Sequence, residues 1–264
     1  MLGLGIGSFV EGGSAISGLP AYYLPVTNTK SLDVDGTNDY LDTNYNSNDL
    51  CGSSASFSVS AWVKPDDGQT SLADAIIGAE KSVDSAFIFY NSPAGKLSVW
   101  FQSNGNTASG DTSLYSTDSA VWANEESTWK HAVATVEYVD GGNAVIKIYV
   151  NGSEAAGSYL GGFRVDSTHY AAFDTGNLNF FIGANNDDGS HADRFEGLID
   201  EVSVFTKVLS ATEVSNIYNS GTPTNLVGHP GLLLYYRFED NANDSNGTSN
   251  GTLVNGPTYS STTP

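Results

Sequence analysis

The chain has 264 residues, of which 39% are hydrophobic and 11% aromatic, enough material for one large core and too much for a disordered chain. Lys plus Arg total 10 against 30 Asp plus Glu, a formal charge of −20 that leaves no basic surface for phosphate backbones and excludes nucleic acid as a partner. The single cysteine, Cys51, excludes an intrachain disulfide, and no apolar run reaches the roughly eighteen residues of a membrane span.

Residues 1–30 are rich in Gly, Ser and Pro and lack sustained alternation, which predicts an extended docking arm ahead of a domain that begins at Ser31. Its start, Met1-Leu2-Gly3-Leu4-Gly5-Ile6-Gly7, is apolar without a positively charged stretch, so no signal peptide is expected. Such an arm docks either on its own domain or on a neighbouring subunit. From Ser31 onward, β-rich runs at 57–64, 75–80, 86–90, 96–102, 129–138, 144–150, 178–183 and 198–205 alternate with turn clusters, the spacing of an antiparallel sandwich. In Phe57-Ser58-Val59-Ser60-Ala61-Trp62-Val63 apolar residues alternate with serines, the period of a strand with one buried face, and Trp62 interrupts the polar side. Ser210-Ala211-Thr212-Glu213 is a capping box followed by Val214, Ile217 and Tyr218 at helical spacing and by Gly221 as a stop.

Several of these segments are phrases of one known family. Ser31-Leu32-Asp33-Val34-Asp35-Gly36-Thr37-Asn38-Asp39-Tyr40, the run from Phe57 to Pro65, and Trp129-Lys130-His131 are followed in order by Ile148-Tyr149-Val150-Asn151-Gly152, by Phe195-Glu196-Gly197-Leu198-Ile199-Asp200-Glu201-Val202 and by Leu209-Ser210-Ala211-Thr212-Glu213-Val214. The series resembles the laminin-G-like jelly rolls of the concanavalin A-like lectin and glucanase class. It implies an all-β protein: a two-sheet antiparallel β-sandwich with one short helix near residues 210–219, formed by a single domain over 31–264. Leu232-Leu233-Leu234-Tyr235-Tyr236-Arg237-Phe238-Glu239-Asp240 is similar to the family's opening strand yet comes last. Residues 231–259 are therefore expected to complete the same sandwich by circular permutation.

The glucanases of this fold carry Glu-x-Asp-x-x-Glu on one strand, where alternation aims the carboxylates at one face. This chain has no such run, so a glycoside hydrolase is the disfavoured alternative and no catalytic residue is assigned. The resemblance implies a non-enzymatic module for carbohydrate binding or adhesion, or a structural component of a bacteriophage virion such as a capsid decoration or tail-associated protein. The expected location is the virion surface, with an extracellular protein as the alternative. Residues 1–20 are then expected to contact other virion proteins, in a homo-oligomer or larger assembly.

Related jelly rolls hold a structural Ca²⁺ between an aspartate of a late strand and an early loop, and the resemblance maps these ligands to Asp200, Asp35 and the Gly36 carbonyl, hard oxygens that suit the ion. Asp200 alternatively caps a turn or pairs with Arg194 or Arg237. Asp187, Asp188, His191 and Asp193 fall between two strands, where sandwich lectins place ligand residues, and alternatively form a solvated turn. Of the tryptophans, Trp62 and Trp129 belong to core phrases, whereas Trp122, in Ser119-Ala120-Val121-Trp122-Ala123-Asn124, is expected to be an exposed platform for a sugar ring.

Overall fold

The computed structural model describes residues 19–51, 56–66, 73–81, 85–102, 112–122, 127–137, 145–160 and 177–264. Its strands run in chain order β1 (Ser31–Asp35), β2 (Tyr40–Asn46), β3 (Phe57–Pro65), β4 (Asp74–Lys81), β5 (Ser85–Asn91), β6 (Leu97–Gln102), β7 (Thr112–Thr117), β8 (Lys130–Glu137) and β9 (Val145–Val150). They continue as β10 (Ser153–Glu154), β11 (Gly157–Tyr159), β12 (Asn179–Ile182), β13 (Asn185–Asp187), β14 (Ser190–Ala192), β15 (Glu196–Phe205), β16 (Leu232–Tyr236), β17 (Thr252–Val254) and β18 (Thr258–Ser260). A single helical turn, α1 (Ser47–Cys51), follows β2, and the capping box opens α2 (Ala211–Tyr218).

The strands form two sheets. Sheet I has eight strands in the order β10-β9-β8-β3-β15-β1-β18, with β16 also on β15; sheet II has ten, in the order β11-β7-β6-β5-β4-β12-β2-β17, with the β13–β14 hairpin against β4. All pairings are antiparallel except β13 with β4. The facing sides meet in one core, to which β3 gives Phe57, Val59, Ala61 and Val63, β5 gives Phe87 and Phe89, and β15 gives Ile199, Val202 and Val204. The sandwich and its one well-formed helix are what the sequence predicts.

The outer side of sheet I is not free. Ser58 Oγ donates to the Lys207 carbonyl and accepts from Leu209 N, which seats the chain entering α2, and Trp62 stacks on Tyr218 at 5.7 Å. Val214, Ile217, Leu209 and Leu226 then form a second core with Val133, Tyr149, Phe205 and Tyr235 of sheet I. This explains why Trp62 breaks the polar face of β3: its face lies under a helix rather than water.

The described part of the N-terminal arm docks on its own domain. Pro25 bridges Thr224, Val26 N donates to the Pro223 carbonyl at 3.1 Å, and Tyr23 joins the second core. Glu239 accepts from Thr29 N and Thr29 Oγ1. The contacts expected of residues 1–20 with other proteins fall almost entirely outside the described residues.

Beyond α2 the chain returns as β16, whose residues 232–236 pair with Phe205 to Val202 of β15. One edge of β15 is thus shared end to end, Glu196–Ile199 facing β1 and Val202–Phe205 facing β16. The last two strands divide between the sheets: β17 pairs with β2 in sheet II and β18 with β1 in sheet I.

Candidate binding site on the outer face of sheet II

Sheet I is covered by α2, and the outer side of sheet II is itself largely closed, with Ala75, Gly78, Ala86, Ile88 and Ser98 buried, so that Trp100 and the rim of the β13–β14 hairpin are what it presents to a ligand. Core residues Phe87 and Phe89 on β5 and Val99 and Phe101 on β6 point inward, so alternation turns Ile88, Tyr90, Ser98 and Trp100 outward. Trp100 stands opposite Ile88, and Ile88 opposite Gly78 of β4, which makes one row across three strands. Of the four tryptophans only Trp100 is exposed, at 36%. At about 4.8 Å per strand, Trp100 and Gly78 lie about 10 Å apart, the width of a sugar ring with its linkage.

The place a side chain would take at Gly78 is occupied by Asn185. A Cβ there would stand 2.9 Å from Asn185 Oδ1 and 3.2 Å from Ile88 Cγ2. Asn185 opens the β13–β14 hairpin, whose two-residue turn, Asp188-Gly189, has φ of 49° and 87° at both centres, the turn for which Asp-Gly is suited. Asn186 Oδ1 accepts from Gly189 N at 2.9 Å, and the Asp193 carbonyl accepts from Ala75 N at 2.7 Å, which ties the hairpin back to β4. His191 of β14 stacks on Tyr40, which stacks in turn on Phe181, with centroids 5.7 and 4.2 Å apart.

Carboxyls gather around this hairpin. Asn185 Nδ2 donates to Glu80 Oε2 at 2.8 Å, and Asn91 Nδ2 donates to Asp74 Oδ2 at 3.3 Å. Burial, offset in part by these amide hydrogen bonds and reinforced by neighbouring carboxylates, pushes Asp74 and Glu80 each up to about 7. Burial also raises Asp193. Perturbed acids on β4 and its hairpin, with an exposed aromatic ring two strands away, mark this face as the candidate site.

Asp187, Asp188, His191 and Asp193 are therefore brought together by one hairpin. Trp122 is not part of it. Contrary to expectation, its side chain is 0% exposed, belongs to the main core and donates from Nε1 to the Thr128 carbonyl at 3.1 Å. Its loop is fastened by Val121 N to the Gly95 carbonyl of the β5–β6 turn, a long-range contact that turns the ring inward. Of the tryptophans able to serve as a platform, the structure exposes Trp100 in place of Trp122, and it sets Glu80 against Asn185. The signal for Trp100 was its even spacing from Ser98 and Gln102 against core Val99 and Phe101.

The three residues mapped to calcium do not converge. Asp35 pairs with Glu196, four residues from Asp200 along β15, or about 13 Å of strand. Asp35 Oδ1 accepts from Thr37 N at 2.8 Å to close its own turn, and the Gly36 carbonyl accepts from Arg194 Nε at 3.4 Å. Asp200 is fully buried at a β-bulge, where its oxygens accept from Asn28 Nδ2 and Glu201 N, both at 2.8 Å. Arg237 pairs with Glu201 rather than with Asp200. Among the described residues no three or more His, Cys, Asp or Glu side chains form a group arranged to hold a metal ion.

The result is a jelly-roll sandwich whose sheet I is covered by α2 and whose sheet II presents Trp100 and an acidic hairpin. The chain belongs to the concanavalin A-like lectin/glucanase superfamily, whose family model matches residues 35–215. Among solved structures it is similar to a candidate carbohydrate-binding protein from Bacteroides ovatus, with 22% identity, a TM-score of 0.58, and coverage of 89% of this chain and 60% of that one. The chain thus spans less than two thirds of that protein. It is also similar to the heptameric SAP-like pentraxin of Limulus polyphemus, with 14% identity, a TM-score of 0.54, and coverage of 88% and 94%. A third similar fold is the CBM40 domain of the Ruminococcus gnavus IT-sialidase, with 16% identity, a TM-score of 0.52, and coverage of 75% and 99%. No curated protein sequence matches the chain at a significant level.

Proposed function

We propose that the chain is a non-enzymatic carbohydrate-binding module that takes a glycan on the outer face of sheet II. The observation that carries this reading is exposed Trp100, in register through buried Ile88 with Gly78, the seat of the acidic and partly exposed β13–β14 hairpin. A pyranose presents an apolar C–H face and a rim of hydroxyls. The indole of Trp100 suits the first, and Asp187, Asp188, His191 and Asp193 of the partly exposed hairpin suit the second. Membership of a lectin and glucanase superfamily supports the reading, as does the fold shared with the sialidase CBM40, which has been seen with sialyllactose bound. Binding without turnover fits the sequence, which has no Glu-x-Asp-x-x-Glu run.

The test is a glycan array on the intact chain, followed by calorimetry of the best ligand with Trp100→Ala. We expect at least about a tenfold loss of affinity, the scale of about 1.4 kcal/mol for a lost stacking contact, with an unchanged melt. An array without a single binder, or a ligand whose affinity ignores Trp100→Ala, removes this face from consideration. Release of reducing sugar from the bound glycan would count against a purely binding role.

A further inference from the structure

Buried Asp74 and half-buried Glu80 stand at the two ends of β4, and each is joined to a buried carboxamide whose oxygen is left without a partner. The amide nitrogen of Asn91 donates to Asp74, and that of Asn185 donates to Glu80. The amide oxygens Asn91 Oδ1 and Asn185 Oδ1 are buried without a hydrogen-bond partner, and so is Asp74 Oδ1. Asp74, Asn91 and Asn185 are 1%, 4% and 0% exposed, so open solvent does not satisfy these atoms. An ionised carboxylate offers a carbonyl oxygen only lone pairs, whereas a carboxylic acid offers it a donor.

We propose that Asp74 and Glu80 are neutral carboxylic acids, each closed by two hydrogen bonds onto its carboxamide, and that the Glu80 proton latches the β13–β14 hairpin to β4 while the Asp74 proton ties β4 to β5 beside the hairpin's return. In each pair the amide N–H donates to one carboxyl oxygen, and the proton on the other carboxyl oxygen is donated to the amide oxygen. One proton thus satisfies Asn185 Oδ1, and one satisfies both Asp74 Oδ1 and Asn91 Oδ1. The surroundings favour the neutral form. Asp193 and Glu196 face Asp74, while Asp187, Asp188 and Asp193 face Glu80, and all of these are carboxyls. Arg194, the cation beside Asp193, is directed to the Gly36 carbonyl, and Tyr90 of β5 is a phenol whose own ionisation burial opposes.

The Glu80 pair holds the hairpin itself, and the Asp74 pair fixes the end of β4 to which the hairpin's far end returns. Asn185 is the first residue of β13, and the Asp193 carbonyl, just beyond β14, is held by Ala75 N next to Asp74. Loss of the protons above neutrality removes both donors and places two more negative charges inside an acidic cluster. The hairpin then leaves β4 while the core between the sheets persists. The inference concerns this attachment and stands whether or not the face binds a glycan.

Carbon-detected NMR titration of the side-chain carboxyls in the full chain tests it, with assignments from Asp74→Asn and Glu80→Gln. Two carboxyl signals should keep the protonated shift to near pH 7, one vanishing in each variant. Hydrogen-exchange protection of amides 187–193, corrected for intrinsic exchange, should fall about tenfold between pH 6 and 8.5 in the parent. It should stay level in the double variant, where amide–amide pairs make both hydrogen bonds without a proton. Titration of both carboxyls near pH 4, or the same pH dependence of protection in parent and double variant, overturns the proposal. Should the double variant not fold, the parent's carboxyl titration decides alone.

Discussion

His131 lies fully buried on β8 beside the rings of Trp62 and Tyr218, and its Nε2 lies 2.9 Å from Ser60 Oγ. Burial pushes the imidazole down to about 3, so the folded chain holds it neutral. An unfolded histidine titrates near 6.5, so stability from this residue is whole above that pH and is lost as pH falls towards 3. Asp74 has the opposite sign: raised to about 7 by burial, it gives its full contribution below the unfolded carboxyl value near 4 and loses it as pH rises through 7. Between about pH 4 and 6.5 the two slopes oppose each other. His131→Gln removes only the histidine slope, so its melting temperature should climb more steeply than the parent's as pH is lowered from 7 to 4.5. Superimposable melting profiles would show that His131 is not held neutral. None of this was legible in the sequence, because His131 was one histidine among four until the register set it opposite Trp62. The tryptophans teach the same lesson: whether Trp122 or Trp100 meets water depends on Thr128 and Gly95 for the one, and on strand alternation for the other.

At the scale of elements, the strands were legible because their chemistry is local. The runs read at 75–80, 86–90 and 96–102 coincide within a residue or so with β4, β5 and β6. Alternation and turn residues suffice for that. The hairpin's function was less so, since the Asp188-Gly189 turn announces a reversal but not the strand on which it lands. That landing depends on Gly78. A methyl group there would collide with Asn185 Oδ1 at 2.9 Å, while the β4 backbone, with its ordinary φ, tolerates alanine. Gly78→Ala should therefore displace the hairpin and weaken glycan binding while leaving the cooperative melt within about 1–3 kcal/mol of the parent, the cost of modest overpacking. Hydrogen exchange of amides 187–193 checks the displacement, and unaltered protection would show that Gly78 is not the seat.

The whole molecule closes through its last segment. The family model ends at residue 215, yet β16, β17 and β18 lie beyond it and fill positions in both sheets. The resemblance of 232–240 to an opening strand was readable from its apolar run. Its collinear placement with β1 along one edge of β15 was not, because a bulge at Asp200 to Ser203 sets where one partner ends and the next begins. Truncation after Gly221 removes fully buried Leu234, Tyr235 and Tyr236 and strips the edge of Val202–Phe205. Losing even one such side chain costs about 2–5 kcal/mol, so the truncated chain should be insoluble or melt without cooperativity. A sharp, unshifted melt would make the segment dispensable.

The pairing of β18 with β1 sets Ser260 opposite Ser31 at one end of a three-residue ladder. Tension applied to the polypeptide on either side of that pair opens its hydrogen bonds one after another, as a zipper opens, instead of shearing them together. The corner is thus the mechanically soft point of the fold, while Trp100 and the β13–β14 hairpin belong to the other sheet and are not in the line of force. Single-molecule pulling through residues 30 and 261 should show a small early step that releases β18 before the sandwich yields. A single high-force rupture would mean that the load is shared across the sheets.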